Sequence, residues 1–223
     1  MKVVLFCGGL GMRLRDQSAQ IPKPLVTIGP RPILWHLMSY YAHYGHKDFI
    51  LCLGHGANAI KEYFLRYDEC LSNDFLFAEG GRKIELLSRD IEDWKITFVD
   101  TGLHACIGER LLAVRRHLEG EPLFLANYAD GLSDLDLDAY LDHFRKRDRT
   151  ALFLSVPAPH TFHIVQSDSD DFVTGLEAVG RSAVRVNAGF FAFRPEIFDY
   201  MRQGEDLVLE PFDRLIAERQ LLA

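Results

Sequence analysis

The chain predicts an α/β fold: a three-layer sandwich with a mixed, mostly parallel central sheet and helices on both faces. Short, unbroken apolar runs at residues 3–7, 49–53 and 122–126 read as strands buried on both faces. Stretches with apolar residues three or four apart lie between them, so strands alternate with helices. The chain has 223 residues, 48% of them hydrophobic, and no repeat, linker or low-complexity segment divides it. One domain over 1–223 is expected, with residues 75–95 as an excursion from the sheet.

Taken in order, the first strand stops at Gly8-Gly9. Pro32 then opens a helix with Ile33, Leu37, Met38, Tyr41 and Ala42 on one stripe, and Gly45 ends it. The strand at 49–53 ends at Gly54, and residues 57–67 form a helix through Ile60, Tyr63, Phe64 and Tyr67. Residues 94–99 alternate like a half-buried strand, and 111–118 are the core of another helix. After the strand at 122–126 comes an acidic run from Asp130 to Asp138, then a helix through Phe144. A strand at 151–156, an exposed turn at 166–171, a strand at 184–193 and an amphipathic helix at 208–220 complete the pattern.

The net charge of −7 excludes a strongly basic surface and hence a nucleic-acid partner. It leaves room for a small anion held by local cations and backbone amides. No apolar run is long enough to span a membrane, so no membrane partner is expected. Cys7, Cys52, Cys70 and Cys106 are too widely spaced for a zinc site and fit a reducing, cytoplasmic compartment. His36 and His43 lack metal-ligand spacing, and no residue pattern supports a covalent nucleophile.

The densest chemistry is Gly8-Gly9-Leu10-Gly11-Met12-Arg13-Leu14, followed by Ile21-Pro22-Lys23-Pro24-Leu25. Glycines directly after a buried strand let the chain turn sharply and offer bare N–H groups to a phosphate. Arg13 adds a planar fork of donors, and Lys23 is a point charge between two prolines. The stretch lacks the Lys-Ser/Thr pair of a P-loop. It also places Leu14 where a dinucleotide fingerprint needs a small third residue. By themselves the glycines also read as a plain strand-to-loop turn. Asp130-Gly131 likewise reads as an ordinary turn, with Asp134, Asp136 and Asp138 as a solvated edge.

These motifs resemble the signature of sugar-1-phosphate nucleotidyltransferases. The likeness continues at Pro32 to His36, Lys47 to Ile50, Ile60 to Phe64, Trp94 to Gly102, Tyr128 to Gly131 and Asn187 to Phe191. Within that superfamily the chain is most similar to the glucose-1-phosphate cytidylyltransferases. The resemblance implies a Rossmann-like nucleotide-diphospho-sugar transferase fold and a homo-oligomer. It also implies transfer from CTP, or another nucleoside triphosphate, to a sugar 1-phosphate, with release of pyrophosphate. Arg13 and Lys23 would then be catalytic. Phe6, Cys7, Gly8, Gly9, Leu10, Gly11, Met12, Ile107, Gly108 and Arg110 would join them on the nucleotide. Tyr128, Glu177, Arg181 and Asn187 would bind the sugar phosphate, and Asp130 would hold Mg²⁺.

The chain departs from the family pattern at several points. Met12 replaces a threonine, and Ile107-Gly108-Glu109-Arg110 replaces Thr-Gly-Gly-Arg, bringing a negative charge toward the nucleotide. Arg181 stands near the place of a sugar-phosphate lysine, and Phe162-His163 lacks a glycine of the sugar pocket. Family members carry a second metal-binding aspartate beyond the position matching Ala223. The alternatives at this point are the same chemistry on a different nucleotide and acceptor, or a nucleotide-sugar-binding homologue without turnover.

Overall fold

The structure is a computed structural model, and it describes residues 1–9, 21–158 and 162–223. In chain order the elements are β1 (Lys2–Phe6), β2 (Thr27–Ile28), β3 (Arg31–Pro32), α1 (Ile33–His43), β4 (Asp48–Leu53) and α2 (Ala57–Leu65). Next come β5 (Phe75–Ala78), β6 (Lys83–Leu86), β7 (Lys95–Asp100), α3 (Ile107–Val114), β8 (Phe124–Tyr128) and α4 (Leu137–Arg147). The last are β9 (Ala151–Pro157), β10 (His163–Ser167), β11 (Val173–Ala178), β12 (Arg185–Phe193), α5 (Glu210–Ala217) and β13 (Leu221–Leu222).

A seven-stranded sheet runs β13-β9-β12-β8-β1-β4-β7. β1 pairs in parallel with both β4 and β8, β4 with β7, and β13 with β9; only β12 runs antiparallel to its neighbours. The strand period of two divides β1 between two cores. Val3, Leu5 and Cys7 face one cluster, which takes Leu34, Leu37, Met38 and Tyr41 from α1 and Leu141 and Phe144 from α4. Val4 and Phe6 face the other, which takes Leu111 and Val114 from α3 and Phe212 and Leu215 from α5. Helices thus cover both faces, which explains why the central strands are unbroken apolar runs.

Helix boundaries follow local chemistry. Pro32 caps α1 and Gly45, at φ +83°, ends it. Asp136 belongs to the acidic run and N-caps α4, its carboxylate accepting from Ala139 N at 3.0 Å. α3 begins at Ile107, the expected core at 111–118 forming its second half, and its last turn tightens into a 3₁₀ segment at Arg115–Leu118. The capping box formed by Cys106 and Glu109 sets its start. Among the described residues three antiparallel pairs stand outside the main sheet: the short β2–β3, the β5–β6 hairpin within residues 75–95, and β10–β11, which flanks the acidic turn at 168–171.

Candidate active site

Ligands of open α/β sheets gather at the carboxyl ends of the strands, where the chain reverses its direction of travel across the sheet. Here β1, β4 and β7 step one way, and β8 then returns to the other side of β1. The switch point lies between β1 and β8, whose last residues Phe6 and Tyr128 are partners in register. Gly8 follows one strand and Asp130 the other.

Lys23 reaches this point from a 3₁₀ turn, Lys23–Leu25. Pro24 is buried beneath the turn, and Leu25 N donates to Pro22 O at 2.8 Å. Prolines on both sides leave Lys23 little backbone freedom. Its ammonium lies 3.7 Å from Asp130 Oδ2, with both side chains more than a third exposed. The fold therefore joins two residues far apart in sequence, one cation and one hard oxygen ligand. Among the described residues no group of three His, Cys, Asp or Glu side chains gathers to hold a metal. A single carboxylate still suits Mg²⁺, which binds through one or two carboxylates and completes its shell with water and substrate phosphates.

The fold places Arg110 beneath this edge. It is 2% exposed. Nη1 donates to Leu53 O, Thr101 Oγ1 and Gly102 O at 3.1, 2.7 and 3.0 Å, and Nη2 donates to Gly8 O at 2.9 Å. One guanidinium thus ties together the chain just past β1, β4 and β7. Among the described residues no carboxylate lies within ion-pair distance of it; carbonyl and hydroxyl dipoles hold the guanidinium, and the Asp100 charge acts on it from farther away. Gly8 is buried against it, and a Cβ there would overlap the guanidinium. Glycine at residue 8 permits this close approach. Gly9 is exposed, and among the described residues a Cβ there would meet nothing within 4 Å.

Other expected nucleotide residues have packing roles. A Cβ on Gly108 would overlap Glu205 O, so its bareness serves contact with the chain's own backbone. Ile107 packs partly into the core. The carboxylate of Glu109 turns back to accept from Cys106 N and from Gln203 Nε2, both at 3.0 Å. Cys7 is buried, its N–H donates to Cys52 O at 3.0 Å, and burial pushes its thiol well up, so it is an inert small residue. Leu10, Gly11, Met12 and Arg13 lie outside the described residues.

On the expected sugar side, Tyr128 packs against Phe6 and Phe191, with ring centres 6.3 and 5.3 Å away. Burial raises its phenol to about 12, so it is a neutral donor at physiological pH. Gly189, at φ +78°, makes room for that ring at the bulge in β12. Asn187 Oδ1 accepts from Gly189 N at 2.8 Å and holds the bulge. Asn187 therefore has a local structural role that also sets where Tyr128 sits. Glu177 and Arg181 lie at the end of β11 and in the following 3₁₀ turn, both exposed.

Sequence reasoning overlooked the turn Gly54-His55-Gly56 and the hydroxyl of Thr101. Two glycines one residue apart after a buried strand were the available signal, repeating the pattern of Gly9 and Gly11. Among the described residues no helix is long and apolar enough to cross a membrane.

Comparison with known proteins identifies the family and the fold. The chain is 34% identical to the glucose-1-phosphate cytidylyltransferase of Salmonella typhi over 224 residues, covering 100% of this chain and 87% of that protein. It is 26% identical to the D-glycero-alpha-D-manno-heptose 1-phosphate guanylyltransferase of Campylobacter jejuni, covering 95% of this chain and 84% of that one. The solved structure of HddC from Yersinia pseudotuberculosis shares the fold, with a TM-score of 0.65 at 21% identity over 94% of this chain and 84% of that one. A family model described as nucleotidyl transferase matches residues 2–221. A match running from the first strand to the last shows that the chain belongs to the nucleotidyl transferase family and is an enzyme of that class.

Proposed function

We propose that this enzyme transfers the cytidylyl group of CTP to glucose 1-phosphate. A sugar-phosphate oxygen attacks the α-phosphorus, the bond from that phosphorus to the bridging oxygen breaks, and pyrophosphate departs with the electron pair. The observation that carries this reading is the approach of Lys23 to Asp130, 3.7 Å apart at the switch point beside Gly8. Both reactants are polyanions, so the protein's work is to offset charge and hold the line of attack.

In this reading the amides from Gly8 onward cradle the triphosphate, and Arg13 binds its oxygens. Lys23 offsets charge growing at the α-phosphate. Asp130 would hold Mg²⁺, which when bound supplies a hard cation to neutralise phosphate oxygens. Tyr128 and Asn187 shape the sugar side, and Glu177 and Arg181 approach the sugar phosphate from the β10–β11 hairpin. Ile107, Gly108 and Arg110 support the nucleotide side. A homo-oligomer is part of the proposal, supported by exposed Phe77 and Ile84 on one hairpin and Val173 and Leu176 on the other. A cytoplasmic location is also proposed, supported by four free cysteines.

The test incubates the full chain with Mg²⁺, each nucleoside triphosphate and a panel of sugar 1-phosphates, and measures pyrophosphate. CTP with glucose 1-phosphate should give the highest kcat/KM. Lys23→Ala should lower kcat about a hundredfold or more with little change in nucleotide binding. Nucleotide binding without pyrophosphate from any pair would replace the proposal with a binding-only homologue.

A further inference from the structure

The turn between β4 and α2, Gly54-His55-Gly56, lies outside every motif that marks the phosphate loop, yet it is wedged between two groups that matter there. On one side, a Cβ at Gly54 would lie 2.6 Å from Arg110 Nη1 and 2.9 Å from Gly102 O. On the other side, a Cβ at Gly56 would overlap Pro22 Cγ and come within 3.0 Å of Pro22 Cβ. Gly56 also holds the left-handed backbone, at φ +71°. Bare Cα atoms are therefore needed at both ends of the turn, and the ring of Pro22 rests on backbone. That backbone is itself fixed, because Arg110 donates to Leu53 O before the turn and to Gly8 O across the site.

Pro22 directly precedes Lys23 and accepts from Leu25 N at 2.8 Å, while Pro24 is buried on the far side. A shift of the Pro22 ring must carry Lys23 with it. We propose that Gly56 is a positioning residue for Lys23: its missing side chain sets how deeply Pro22 seats, and so where the ammonium stands relative to Asp130. This rests on the reading of Lys23 as the cation at the α-phosphate. A displacement of about 1 Å in a reacting geometry costs on the order of a hundredfold in rate, so a single methyl at residue 56 is a large perturbation.

The experiment uses the full chain with CTP, glucose 1-phosphate and Mg²⁺, reading kcat, KM and the thermal midpoint. Gly56→Ala is compared with Gly45→Ala, which takes the same left-handed strain at φ +83° but has nothing within 4 Å. Gly56→Ala should lower kcat about a hundredfold with KM for CTP little changed, whereas Gly45→Ala keeps wild-type kcat at a similar midpoint. Adding Pro22→Ala to Gly56→Ala should restore part of the loss. Equal kcat for the two glycine variants overturns the proposal. Should Gly56→Ala not fold, Pro22→Ala alone decides: a reduced kcat with an unchanged midpoint supports positioning, and wild-type kcat overturns it. Wild-type kcat in Lys23→Ala would instead overturn the underlying reading of Lys23, whatever Gly56 does.

Discussion

The floor beneath Gly8 and the seam that anchors the β5–β6 hairpin are each built around a buried arginine. Arg110 is 2% exposed and Arg31 is 1% exposed. Around Arg31 the charge is answered. Asp90 Oδ2 lies 3.9 Å from Nη2, Ser72 Oγ accepts from Nε at 2.9 Å, and Asp68 O accepts from Nη2 at 2.7 Å. The ring of Tyr67 stacks beneath it at 4.0 Å. Tyr67 and Ser72 also donate to Asp90 Oδ2, so cation, carboxylate and hydroxyls form one connected knot. Around Arg110 no carboxylate of the described residues is within ion-pair distance, Asp100 acting only from farther away, and the hydrogen-bond partners are three carbonyls and one hydroxyl. A neutralised buried arginine fastens one segment to another. One held by dipoles, with its nearest carboxylate beyond ion-pair distance, also fastens, and it leaves positive potential directly under the turn where phosphate is expected.

Removing each arginine tests that difference. Arg110→Met leaves several buried acceptors unpaired and should cost about 3 kcal/mol or more by urea unfolding. It should also weaken nucleotide binding in the molecules that remain folded. Binding undiminished per folded molecule would reduce Arg110 to a fastener like Arg31. Arg31→Met should cost about 2–3 kcal/mol, below the range for a wholly buried pair because Asp90 is part exposed, and kcat should hold. A kcat loss beyond the loss of folded protein would break the contrast from the other side.

Acid gives a third measurement. Burial alone would raise the Asp90 carboxyl, but hydrogen bonds from Ser72 and Tyr67, the nearby Asn73 amide and the Arg31 charge outweigh it and hold the group below the usual carboxylate range. A depressed carboxylate contributes stability that is present above its unfolded value and lost as pH falls through its folded one. Midpoints measured below about pH 4 should therefore fall more steeply in the wild type than in Asp90→Asn. Parallel curves would show that the knot does not titrate. The smallest expected change is Ser72→Ala, at about 1 kcal/mol, since Asp90 keeps Tyr67 and Arg31 keeps Asp68 O.

Much of this architecture could be read from residue order. Strand runs at 3–7 and 49–53 needed only hydrophobic period, and Pro32 and Gly45 marked α1 at both ends. The β5–β6 hairpin was visible only as an interruption. Its exposed face carries Phe77 and Ile84, so no polar–apolar alternation announced strands. β13 has two residues and exists through pairing with β9, which no local pattern encodes. For the site, Lys23 and Asp130 were legible as residue types beside strand ends. Their meeting depends on β8 lying next to β1, a matter of strand order.

The sequence by itself determined that buried strands alternate with helices, that glycines follow the first strand, and that a lysine is stiffened between prolines. These are local properties, set by side-chain period and by the backbone limits of glycine and proline. Only the tertiary structure decided that Arg110 is sunk under Gly8, that Glu109 spends its charge on a helix cap, and that Gly56 supports Pro22. Those outcomes depend on which segments share a boundary, and burial converts each such boundary into a requirement for a donor, an acceptor or an empty Cα.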